Sequence, residues 1–188
     1  MWSFIKGLLG NYKGQQRTTP YTSITPTDTA PSVSNALQIP AVWECTQKIV
    51  KAMACLPCDL LQEVDREGNT ELVRKGQIYE LLNVRPNAHM TPADFFRALT
   101  LDYLLHGNAY IRLDKAVGAD YVAALTPLNP EQVKVIIDNN GAVIYKYYSR
   151  DDEIVEYSPD EIAHWKGMGN GIVGLATMDF ARTTLDKP

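Results

Sequence analysis

Residues 86–113 read PNAHMTPADFFRALTLDYLLHGNAYIRL, and this run decides the fold class. Thr91 is placed to cap a helix, because its hydroxyl can accept from N–H groups that the first turn leaves unpaired. Pro92 follows at the first helical position, where a missing N–H costs nothing, and Asp94 puts negative charge near the positive end of the dipole. The helix is expected to run to His106 and to stop at Gly107, which takes a left-handed cap without strain. Phe95, Phe96, Ala98, Leu99, Leu101, Tyr103, Leu104 and Leu105 cover most of its circumference. A helix this apolar is expected to be covered on several sides. From Asn108 onward the pattern becomes that of a strand.

Upstream, residues 18–34 are mostly Thr, Ser and Pro, and such a stretch buries too little to offset its ordering entropy. Residues 1–34 therefore read as an extended arm, and the folded part as 35–188. A helix is expected over 40–56, with Val42, Cys45, Ile49, Met53 and Leu56 recurring at three- and four-residue steps as its apolar face. Pro57 stops it, because the residue before a proline disfavours the α region. Two strands, 58–64 and 70–74, flank a turn at 65–69, and residues 78–83 read as a short helix.

Downstream, short strands are expected at 109–114, 121–128, 133–138, 142–149, 153–157 and 162–168. Asn140-Gly141 between two of them is a strong hairpin cue. Residues 175–185 read as a helix with Leu175, Met178, Ala181 and Leu185 on one face. That face needs a partner, on this domain, on a segment beyond this chain or on another subunit.

The chain carries 18 Lys and Arg against 22 Asp and Glu, a formal net charge of −4. Acidic balance is a poor basis for clamping nucleic acid, whose affinity comes from clustered cations. Charge is uneven: the first 27 residues hold Lys6, Lys13 and Arg17 and no acid, whereas RDDEIVEYSPDE at 150–161 is strongly acidic and reads as a surface hairpin. Trp2, Ile5 and Leu9 fall on one helical face beside Lys6, a pattern able to dock a partner or a membrane surface. No apolar stretch approaches the ~20 residues of a membrane-spanning helix, and no signal peptide is evident, so cytosolic synthesis is expected.

Three motifs invite chemistry. Cys55 and Cys58 have the C-x-x-C spacing of thiol oxidoreductases, and a thiol-disulfide redox protein is the alternative function. They fall at the end of a helix, however, where the dipole disfavours the thiolate that such chemistry needs. A zinc site is not expected either, since Cys45, His89, His106 and His164 form no second ligand pair. Residues 169–174 match G-x-G-x-x-G, but the acidic partner expected about twenty residues later has no position to occupy. No nucleophile elbow is present. No catalytic residue, metal or cofactor is expected.

The ordered set of patterns resembles the portal proteins of long-tailed bacteriophages. AVWECTQKIVKAMACLPCDLL at 41–61 is similar to the family's leading helix with its leucine-proline exit. YELLNVRPN at 79–87 is similar to its leucine-rich turn, and LHGNAY at 105–110 to its most recognisable block. LTPLNP at 125–130, Ile162-Ala-His164 and residues 171–175 match in order after it. The resemblance implies an α+β wing-like domain of short antiparallel strands and a few helices. It marks Pro57, Pro86, Asn87, Gly107, Asn108, His164 and Gly174 as structural positions. It further implies a non-enzymatic subunit of a dodecameric ring at one capsid vertex of the virion, assembled in the host cytoplasm. Double-stranded DNA is packaged and ejected through such a ring without sequence recognition. Its implied partners are copies of itself, capsid and scaffold proteins, the terminase and head-completion proteins. Members of that family are much longer than this chain, and their channel-lining stem, clip and crown come after the region matched here.

Overall fold

A computed structural model describes residues 37–116, 118, 121–149 and 153–176. The arm at 1–34 and all but the first two residues of the helix expected at 175–185 lie outside the described residues. The described elements are α1 (Pro40–Ala54), β1 (Leu60–Glu63), β2 (Thr70–Val73), α2 (Gln77–Asn83), α3 (Pro92–His106), β3 (Asn108–Lys115) and β4 (Val122–Leu128). A 3-10 turn (Pro130–Gln132), β5 (Val133–Ile137), β6 (Val143–Tyr148), β7 (Ile154–Tyr157) and β8 (Ile162–Lys166) complete the order. The architecture is α+β, with short antiparallel strands in three small sheets.

The sheet β4-β3-β8 is the middle layer. Successive side chains of a strand point to opposite faces, so β3 serves two cores. Ala109 joins Leu125, Leu81, Phe95 and Leu99 under the helices. Its neighbour Tyr110 joins Leu128, Ile162, Val135 and Tyr145 against the second sheet, β5-β6-β7. Three layers result: helices, sheet, sheet.

The central helix α3 starts and ends as its sequence requires. Thr91 Oγ1 accepts from Asp94 N at 3.2 Å, and Gly107 caps the far end at φ 69°. Phe95, Leu99, Thr100 and Leu105 are buried, while Asp94 and Arg97 face water and pair at 2.8 Å. It packs against α1, α2, β3 and β4.

The first helix departs from expectation. It ends at Ala54, and its buried residues are Thr46 and Val50. Cys45, Ile49 and Leu56 are exposed, as is Trp43. The apolar stripe expected from the periodicity is thus turned largely outward. Apolar residues occur on two sides of this helix, and contact with α3 selected the side through Thr46 and Val50.

The hairpin β1–β2 pairs Leu61 with Leu72 across its ladder. Leu61 is 60% exposed and Leu72 41% exposed.

Candidate functional site: the junction at the end of α3

Gly107 and Asn108 join α3 to β3, and the glycine-rich segment after β8 closes over them. A Cβ on Gly107 would lie 2.1 Å from the Leu175 carbonyl oxygen, and one on Gly174 would lie 2.0 Å from the Gly107 carbonyl oxygen. Two backbones cross here at a spacing that admits no side chain. Gly107 also sits at positive φ, so two independent reasons require glycine at that position.

Asn108 fastens the crossing. Its Nδ2 donates to the carbonyls of His106 and Gly174, each at 2.9 Å. Its Oδ1 accepts the Gly174 N–H at 2.7 Å and faces His164 Nε2 at 2.9 Å. With Nδ2 already donating to two carbonyls, Oδ1 must be the acceptor, so His164 carries its proton on Nε2. Nδ1 is then left to accept from the Tyr145 hydroxyl at 3.4 Å. The imidazole also lies against the Tyr110 ring, with centroids 4.4 Å apart. Burial, assisted by Lys166, pushes its pKa down to about 4, which keeps it neutral. One chain of bonds therefore links α3, β3, β8, the glycine-rich loop and the second sheet.

The loop at 169–174 resembled a phosphate cradle in sequence. In the structure four of its N–H groups are already committed: Asn170 donates to the Val173 carbonyl, Ile172 and Val173 to Asn170 Oδ1, and Gly174 to Asn108. Gly169 and Gly174 bridge to each other, and Lys166 Nζ bonds the Gly171 carbonyl at 2.7 Å. A phosphate would have to displace these bonds.

Pro86 and Asn87 form a second, smaller fastening. Pro86 is fully buried, and its carbonyl accepts from Leu125 N at 2.8 Å. Asn87 Nδ2 donates to the Leu125 carbonyl at 2.8 Å, while its Oδ1 accepts from His89 and Met90 N–H. A loop residue thus imitates a strand partner for β4. Pro57 joins neither group and is exposed in the link between α1 and β1.

Sequence reasoning singled out these residues but missed two participants. Tyr145 read only as a strand residue and Tyr110 only as part of the LHGNAY block, though both lie buried in the second core. A network of Arg112, Asp114 and Thr126 was also unforeseen: Asp114 accepts from Arg112 Nε and from Thr126 Oγ1, both at 2.5 Å. Cross-strand neighbours on one face carry that network, and pairing is not visible in a single strand.

Asp102 on α3 is also perturbed, with burial pushing its carboxyl up to about 7. Cys55 and Cys58 are unpaired, the former exposed and the latter partly so. His89, His106 and His164 are distributed over a loop, a helix end and a strand. Among the described residues, no group of three or more His, Cys, Asp and Glu is placed to hold a metal ion. No described helix is long and apolar enough to cross a membrane.

The family model for phage portal protein matches residues 40–187. The portal protein of Enterobacteria phage HK97 is 35% identical over 146 residues, covering 77% of this chain and 34% of that protein. Protein BeeE of Escherichia coli strain K12 is 30% identical over 100 residues, covering 53% of this chain and 60% of BeeE. This chain therefore spans less than two thirds of either relative's length. Among solved structures, the neck of the native gene transfer agent particle, computed with C12 symmetry, matches with a TM-score of 0.69 at 24% identity. That match covers 89% of this chain and 43% of the other. An HK97-family phage portal protein from Corynebacterium diphtheriae matches with a TM-score of 0.50 at 18% identity, over 80% of this chain and 44% of the other. With the sequence pattern, the three-layer fold and the match over 40–187 in agreement, this chain belongs to the phage portal protein family.

Proposed function

We propose that this chain supplies the wing-like scaffold of a portal subunit, which joins copies of itself in a ring at the capsid vertex. The observation that carries this reading is the family match over 40–187, the same span that contains the junction at Asn108. Residues 1–34 act as an arm and 35–188 as the folded body. Pro86, Asn87, Gly107, Asn108, His164 and Gly174 act by holding layers together, with Pro57 in the link between α1 and β1. None of them is assigned a chemical step, and the subunit works without catalysis or cofactor.

Double-stranded DNA passes the ring without sequence recognition. Capsid, scaffold, terminase and head-completion proteins attach to the assembled ring, through segments beyond those described. Assembly takes place in the host cytoplasm and the product resides in the virion. The acidic balance suits this role, because clustered cations would hold DNA in place.

The test extends the chain with the stem and clip of its HK97 relative and measures mass by light scattering. A ring-sized assembly is expected. A monodisperse monomer under conditions where the relative itself assembles overturns the reading.

A further inference from the structure

The two faces of the hairpin β1–β2 differ. Leu60 and Val73, opposite each other on the ladder, are half-buried, while Leu61, Glu63 and Leu72 on the other face are exposed. Leu61 stands opposite Leu72, and Glu63 lies two residues further along the same face. Acids dominate this segment: over residues 59–73, Asp59, Glu63, Asp65, Glu67 and Glu71 stand against Arg66 alone.

The sheet β5-β6-β7 carries a matching arrangement. Val135, Tyr145 and Tyr157 point into the second core, so the alternate positions Lys134, Ile136, Ile144 and Lys146 point away from it. Ile136 stands opposite Ile144, and Lys134 stands opposite Lys146 two residues along. Lys146 pairs with Glu156 at 2.6 Å. Among the described residues Lys134 has no ion-pair partner, and like charges directly opposite on a sheet repel. Each face thus holds an apolar cross-strand pair and, about 7 Å along, a charge: negative on the hairpin, positive on the sheet.

One copy cannot bring the two faces together. The hairpin sits on the helical side of the middle sheet: Asn83 of α2 donates to the Cys58 carbonyl at 3.0 Å just before β1, and Leu81 of α2 enters the helical core. The second sheet lies on the opposite side of the middle sheet. A contact between two different surfaces repeats from copy to copy, and it closes a ring when its rotation permits.

We propose that Leu61, Leu72 and Glu63 of one copy dock on Ile136, Ile144 and Lys134 of the next, sheet against sheet. The proposal rests on the ring reading above and names the surfaces that meet in it. Glu63 supplies Lys134 with a counter-ion, and the two apolar pairs leave water together. A hairpin face is smaller than a standard interface of about 800 Å² per partner, so the contact is weak between free chains and gains by repetition around a ring.

The test mixes two forms of the full chain, each with Cys45, Cys55 and Cys58 replaced by Ser. One carries Leu72→Cys and the other Ile144→Cys. A bis-maleimide linker of about 10 Å, the spacing of stacked sheets, traps the contact. The mixed product is expected to exceed by about tenfold that of Leu72→Cys with Met168→Cys, a position 90% exposed that reports random collision. Lys134→Glu in the Ile144→Cys chain should lower the yield about fivefold, and Glu63→Lys in the Leu72→Cys chain should restore it. A yield no higher than the Met168→Cys control overturns the proposal, as does a charge swap that restores nothing. Equal trapping of Leu72→Cys chains with each other, the mark of a two-fold contact, overturns it as well. A ring-sized assembly of the extended chain that gives no mixed product overturns the contact and leaves the ring reading standing. Trapping in an extended chain that closes no ring overturns the ring reading alone.

Discussion

The junction at Asn108 and the hairpin β1–β2 differ in what their hydrogen bonds connect. The hairpin's four cross-strand pairs, Leu60 with Val73 through Glu63 with Thr70, link residues close in sequence, and most of its side chains face water. The junction's bonds run from Asn108 to Gly174 across 66 residues, and they are buried. Burial makes each lost partner expensive, since a stranded polar group keeps its desolvation penalty. Two strands alone are marginal in water, and local turn bonds from the Glu67 and Asn69 N–H groups to Asp65 support the hairpin's ladder. Substitutions should therefore divide sharply by region.

The largest effect is expected from Gly174→Ala, whose Cβ would overlap the Gly107 carbonyl and approach Gly167 N to 2.7 Å. Stability should fall by about 3 kcal/mol or more in urea denaturation, and a loss of less than about 1 kcal/mol would break the distinction. Asn108→Ala strands two carbonyls, the Gly174 N–H and His164. A loss of about 2–3 kcal/mol is expected by the same assay.

Titration sharpens the comparison further. His164 has a folded pKa of about 4 against an ordinary 6.5, so the unfolded chain binds its proton first. Its contribution is complete above pH 6.5 and is lost as pH falls toward 4. Asp102 has the opposite sign: its folded pKa of about 7 exceeds the ordinary 3.8, so stability is lost as pH rises from 3.8 through 7. Asp102→Asn should therefore raise Tm at about pH 8 and leave it nearly unchanged at about pH 4. His164→Gln should flatten the Tm profile between pH 6.5 and 4, and an unchanged slope would remove His164 from the account. The smallest effect belongs to the hairpin. Leu61→Ser with Leu72→Ser should change stability by less than about 0.5 kcal/mol per site. A larger loss would show that this apolar pair is covered when the chain stands alone.

Much of the fold was legible because local chemistry and tertiary structure agree. Thr91, Pro92 and Gly107 bound α3 within a residue of where their chemistry places it, and the Asn140-Gly141 cue lies between β5 and β6 as paired. The error in α1 has a different origin. Periodicity reports that apolar faces exist, and contact with α3 decides which is used; Ile49 and Val50 are neighbours in sequence, yet only Val50 is buried. The site residues were legible as a set through the family pattern, but not as a network. Nothing local to Asn108 tells that its amide meets Gly174, or that His164 lies between it and Tyr145.

The order of strands in the middle sheet carries a consequence for folding. β3 pairs with β4 on one side and with β8 on the other, and the whole β5-β6-β7 meander lies between those two partners in the chain. Hairpins close quickly because their loops are short, whereas joining Asn108 to Lys166 must close a long one. The meander is thus expected to form as a local unit, with β8 docking late and the Asn108 bonds made last. Kinetic measurements on Asn108→Ala should accordingly show faster unfolding with little change in folding rate. In that order of events the junction serves as a latch: it adds little to the path inward and sets how long the finished structure stays shut.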